Sequence, residues 1–115
     1  MIKTHTDFIE EIRERLKGLN PYKIVLFGSS AEGGRKRDSD IDLLVILDSD
    51  DICLSFEEKM QNKLLVRRSI YDISKKIPVD LLVFTRKEYE AIMENSNSFF
   101  REIDSRGKVL YEKAS

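Results

Sequence analysis

A single cysteine, Cys53, stands among 115 residues, so neither an internal disulfide nor a cysteine-based zinc cluster can form. Tryptophan is absent, histidine occurs once (His5), and there are only five glycines and two prolines. With so few chain breakers there is no Pro/Ser-rich linker, and no repeat or low-complexity segment interrupts the chain. One compact domain over residues 1–115 is expected, large enough for one core but too small to add a separate substrate domain. An excess of either charge is also missing: 20 Lys+Arg stand against 21 Asp+Glu. A general polyanion binder needs a net basic face, so direct nucleic-acid binding is not expected. No apolar run approaches the ~20 residues of a membrane span, and the start, "MIKTHTDFIEEI", is amphipathic and acidic where a signal peptide is apolar. The expected setting is cytoplasmic, away from membranes.

The patterning that is present predicts alternating helices and strands. Phe8, Ile9, Ile12 and Leu16 recur at helical spacing, Gly18 offers a left-handed stop, and Pro21 bars continuation. "YKIVLFG" (22–28) and "IDLLVIL" (41–47) are short β-rich apolar runs that read as strands buried on both faces. Ser55 and Glu58 form a capping-box pair. A long helix is expected to follow, with Phe56, Met60, Leu64, Ile70, Ile73 and Ile77 on its apolar face and Pro78 at its end. "VDLLVF" (79–84) is a third strand, Thr85 and Glu88 cap another helix, and Phe99, Phe100 and Ile103 mark a last one stopping near Gly107. "KVLY" closes the chain as a short strand. The fold class is therefore α/β (α+β), with a small mixed sheet flanked by helices.

The chemistry concentrates in "GSSAEGGRKRDSDIDLLVIL" (28–47). Residues i and i+2 of a strand share a face, so Asp40 and Asp42 project together while Ile41 points to the opposite layer. Two such carboxylates repel unless a cation lies between them, and magnesium, a hard oxygen-seeking ion, is the natural candidate. Asp80 opens a second strand whose other positions on that face, Leu82 and Phe84, are apolar. Three acids converging there without a cation would be costly. Gly28 lets a backbone approach a phosphate closely, Ser29 adds a hydroxyl and an N–H, and Arg35, Lys36 and Arg37 can neutralise a polyphosphate tail. Two common phosphate loops fail: Gly34-Arg35 stands where a Walker A loop needs Lys and Ser/Thr, and no G-x-G-x-x-G occurs.

Gly28-Ser29, ten intervening residues, Asp40-Ile41-Asp42 and the later Asp80 resemble the signature of minimal nucleotidyltransferases of the DNA polymerase β superfamily, as found in HEPN/MNT toxin–antitoxin systems. At typical residue usage, a chance match in a chain this long is about one in 500. The resemblance extends over essentially the whole chain. It implies transfer of a nucleoside monophosphate, AMP from ATP, to a hydroxyl. Asp40, Asp42 and Asp80 would hold two Mg2+ ions and carry the catalysis; Gly28, Ser29, Arg35, Lys36 and Arg37 would bind the nucleotide. It further implies a helical HEPN-type RNase toxin, encoded nearby, with one of its tyrosines as acceptor and this chain as the antitoxin. One departure stands out: the family often reads Gly-Ser-Arg-Ala-Arg-Gly, and here Gly28-Ser29-Ser30-Ala31-Glu32-Gly33 lacks both arginines.

Blander roles remain beside these. Asp40 and Asp42 could decorate a solvated turn, Gly28-Ser29 could simply end a strand, and Arg35 to Arg37 could be a solvated loop. Cys53 has no partner to activate it, and Tyr71 and Tyr89 suit packing. A partner-binding domain without catalytic activity and a small-molecule nucleotidyltransferase are the alternative functions, and a homo-oligomer is compatible with all of them.

Overall fold

The computed structural model describes residues 4–28, 40–53, 55–95 and 98–114. Helix α1 (His5–Lys17) is opened by a full capping box, Thr4 accepting from the Asp7 N–H while the Asp7 carboxylate accepts from the Thr4 N–H. Strand β1 (Pro21–Phe27) follows, then β2 (Ile41–Leu47), α2 (Phe56–Ser69), the short α3 (Tyr71–Ser74), β3 (Val79–Thr85), α4 (Arg86–Glu94), α5 (Ser98–Arg106) and β4 (Lys108–Glu112). The four strands form one mixed sheet in the order β3-β2-β1-β4. β1 is antiparallel to both β2 and β4, and β2 runs parallel to β3. This is the small mixed sheet flanked by helices that the patterning predicts.

Strand alternation sorts the side chains into two layers. Ile24 and Leu26, the odd positions Ile41 to Leu47, and Val79 and Leu81 pack under α1, α2 and α3, against Ile12, Leu16, Val66, Ile70 and Ile73. Val25, Leu44 and Ile46 face the other way, under Tyr89 of α4 and Ile103 of α5, with Phe27, Leu82 and Phe84 alongside. Tyr89, which donates its hydroxyl to Asp104 at 3.0 Å, and the Lys23 ammonium, 3.3 Å from the same carboxylate, tie α4, α5 and β1 together. Burial, reinforced by Asp104, pushes the Tyr89 phenol upward, so this ring serves packing.

Three details depart from the patterning. Gly18 is right-handed (φ −64°), and the left-handed residue is Asn20 (φ 51°), whose short polar side chain tolerates that region. The long helix breaks at Ile70 (φ −123°, ψ 21°), where Ser69 turns its hydroxyl back onto the Val66 carbonyl at 2.7 Å, a bond that competes with helix continuation. Its apolar face also differs: Phe56, Met60 and Leu64 are exposed, Phe56 at 77%, and only Val66 of α2 is buried. The spacing of those three residues is helical, but the stripe looks outward while Val66, Ile70 and Ile73 supply the core. At its start, Ser55 accepts from the Glu58 N–H, and that is the bond seen there.

Candidate active site

The starts of β2 and β3 lie side by side because the two strands are parallel and in register, Asp42 opposite Asp80 and Ile41 opposite Val79. The Ile41 N–H donates to the Pro78 carbonyl at 3.0 Å. From α2, Arg67 Nη1 donates to the Val79 carbonyl at 2.8 Å, holding the peptide that precedes Asp80. Nothing in the sequence marks Arg67 for this task, since a helical arginine reads as a solvated charge until the crossover is known.

Partner residues of a parallel pair project to one face, so Asp42 and Asp80 share the layer of Leu44, Ile46, Leu82 and Phe84. Ile41 is fully buried in the opposite layer. Burial pushes the half-buried Asp42 carboxyl above the usual range, reinforced by the charges of Asp80 and Asp40 and by a hydrogen bond with the Asp80 carboxyl. Asp40 and Asp80 are therefore close enough for their charges to bear on the Asp42 carboxyl.

Gly28 completes the floor. Its φ is +73°, and a Cβ there would meet Asp42 Oδ2 at 2.3 Å. Only glycine serves at a point where the backbone is left-handed and a carboxylate lies against the α-carbon. Phe27, the residue before it, stands opposite Asp42 in the antiparallel register. Ser29, Arg35, Lys36 and Arg37, the other expected nucleotide-binding residues, lie outside the described residues.

Among the described residues, no group of three His, Cys, Asp or Glu side chains already stands as a metal cage. The donor set nevertheless suits a hard divalent cation. Among the described residues it offers carboxylate oxygens, those of Asp42 and Asp80 on one face, with the Asp42 carboxyl raised by burial and by the charges of Asp80 and Asp40. Elsewhere, Cys53 is buried, receives the Asn62 side-chain N–H at 3.2 Å, and has its thiol pushed up by burial and by Glu88. A raised thiol disfavours the thiolate that nucleophilic chemistry needs. No helix among the described residues is long and apolar enough to cross a membrane.

No curated protein matches the chain. Among solved structures, a toxin-antitoxin with AMP-PNP is 18% identical, over 95% of this chain and 74% of that one, with a TM-score of 0.48. A mutant of the toxin-antitoxin MntA-HpeT is 16% identical, over 90% and 72%, with a TM-score of 0.47. The family profile described as "Nucleotidyltransferase domain" matches residues 7–111, from α1 into β4. The chain belongs to the nucleotidyltransferase domain family.

Proposed function

We propose that this domain transfers a nucleoside monophosphate, AMP from ATP, to a hydroxyl, with Asp40, Asp42 and Asp80 as its catalytic and metal-binding acids. The observation that carries the reading is the in-register pairing of Asp42 with Asp80 beside Gly28. That pairing puts two carboxylates next to a glycine that exposes bare backbone. Bound Mg2+ would neutralise the triphosphate and lower the pKa of the attacking hydroxyl. Asp40 and Asp42 would hold the cation that also meets the triphosphate. Asp80, exposed at its strand start, would hold the acceptor side or take the proton of the attacking hydroxyl. That hydroxyl attacks the α-phosphorus as the bond to pyrophosphate breaks, and pyrophosphate leaves with the charge of the broken bond. Gly28 leaves room for the phosphates, and Ser29, Arg35, Lys36 and Arg37 are proposed to bind them.

A tyrosine of a helical HEPN-type RNase toxin is the proposed acceptor, which makes the chain an antitoxin. The outward apolar stripe of α2, Phe56, Met60 and Leu64, with Leu65 and Tyr71 also exposed, favours a protein partner. Steric inhibition without catalysis is the second reading, favoured by Ser30 and Glu32 standing where the family often has arginines.

Transfer of labelled AMP from ATP with Mg2+, to the product of the neighbouring reading frame, tests both. Asp42→Asn and Asp80→Asn are expected to lower transfer by about 10²–10⁴. Asp42→Asn is also expected to melt higher by roughly 2–5 °C, because relieving repulsion between partly exposed charges is worth up to about 1 kcal/mol. Undiminished transfer in either variant overturns the site. Toxin neutralisation by Asp42→Asn without transfer establishes the steric reading instead.

A further inference from the structure

We infer that the cavity between the end of β1 and helix α5 receives the nucleobase of the triphosphate. This rests on the proposed nucleotidyl transfer. The cavity has a volume of about 360 Å³ and is lined by Phe27, Gly28, Phe99, Glu102, Ile103, Arg106 and Gly107. Small-molecule sites fall in this size range.

The cavity shares a wall with the acids. Phe27 stands opposite Asp42 in the sheet register, and Gly28 lies against the Asp42 carboxyl. A ligand seated there can therefore be continuous with a phosphate held at the acids. Close packing at Gly107 keeps the cavity in place. A Cβ on Gly107 would meet the Ile103 carbonyl at 2.4 Å and Val25 Cγ1 at 2.6 Å, so only glycine lets the end of α5 lie this tightly on β1.

The lining selects for a flat, neutral heteroaromatic group. Phe99 is 50% exposed, and its ring is oriented by edge-to-face contacts with Phe27 (centroids 6.3 Å apart) and Phe100 (5.2 Å). An exposed aromatic wall of fixed orientation is a stacking platform for a base. The charged residues of the lining, Glu102 and Arg106, pair with each other at 3.7 Å one helical turn apart. Their charges cancel, so the described residues of the lining carry no net charge. A carboxylate acceptor beside guanidinium donors does match the adjacent amino, ring-nitrogen and carbonyl groups along a base edge. A tyrosine acceptor fits less well. Its hydroxyl must lie at the acids, and the rest of its ring would offer Glu102 and Arg106 nothing to hydrogen-bond.

The test is calorimetric titration of ATP, GTP, CTP, UTP and inorganic tripolyphosphate, each with Mg2+, into wild type, Phe99→Leu and Arg106→Gln. Phe99→Leu keeps the apolar volume and removes the flat face, and Arg106 is exposed, so both variants should keep the wild-type melting temperature. Phe99→Leu is expected to weaken the nucleoside triphosphates about tenfold and leave tripolyphosphate unchanged. Arg106→Gln is expected to alter the ranking of the four bases. Nucleoside triphosphates bound equally well by wild type and Phe99→Leu overturn the pocket and leave the transferase reading standing, as does equal weakening of tripolyphosphate. A wild type that binds none of the five ligands overturns both readings.

Discussion

At the scale of single residues, the site depends on one small position. Gly28 is left-handed, and the Asp42 carboxylate occupies the place a side chain would take. Gly28→Ala therefore faces two penalties: about 1–2 kcal/mol for the left-handed backbone, and displacement of the Asp42 carboxyl. The expected outcome is a lower melting temperature together with loss of nucleotidyl transfer, measured by thermal denaturation and labelled AMP. A variant as active and as stable as wild type would contradict this account. The glycine and the acids stand out in the sequence because their spacing is short and their types are chemically unusual at strand ends. The reason glycine is needed was not legible, since it lies in a contact with a residue on the next strand. The same holds for Arg67, whose bond to the Val79 carbonyl exists only once α2 crosses over β3.

At the scale of elements, α1 and α3 are joined by a two-pronged ion pair, Arg15 Nη1 and Nη2 meeting the two Asp72 oxygens at 2.7 and 2.8 Å. The guanidinium bonds hold the Asp72 carboxyl down at about 2, below the ordinary value near 3.9. A carboxyl depressed in the folded state favours folding above its unfolded value, and that contribution disappears as pH falls from about 4 through 2. Arg15→Ala is expected to return the Asp72 midpoint, followed through its carboxyl carbon by NMR, to the ordinary range. It should also lower the melting temperature at pH 7 more than at pH 2. A midpoint left near 2 in the variant would dissolve the link. Element types were legible from period and caps, and Thr85 with Glu88 forms the full box the sequence suggests. The break at Ile70 was not, because the Ser69 hydroxyl can bond either to water or back to the Val66 carbonyl, and periodicity does not distinguish these.

At the scale of the whole molecule, two helical layers sandwich a sheet whose central strands are buried on both faces, and the acids sit at one end of one layer. The alternation of β2 and β3 carries this arrangement, which is why the mixed sheet and the shared face of Asp42 and Asp80 could be anticipated. Which way α2 would turn could not, as a stripe at positions 56, 60 and 64 and a second at 66, 70 and 73 both satisfy helical spacing. The structure buries the second. Replacing Phe56 and Leu64 together by Ser should therefore change stability by no more than about 0.5 kcal/mol in chemical denaturation, whereas Val66→Ala should cost about 1–3 kcal/mol. A large loss in the double variant would mean that the stripe is covered in the folded protein.

The pairing of β2 with β3 also bears on how this chain tolerates changes in length. Every rung from Ile41–Val79 to Leu47–Thr85 is in step, so deleting one residue inside either strand would put its acid and the side chains beyond the deletion on mismatched faces of the sheet. Insertions that spare these two ladders leave the spacing of Asp42 and Asp80 intact, because the peptide repeat acts as their ruler. Length variation among relatives should accordingly gather in the connections, with the two strands keeping a constant count.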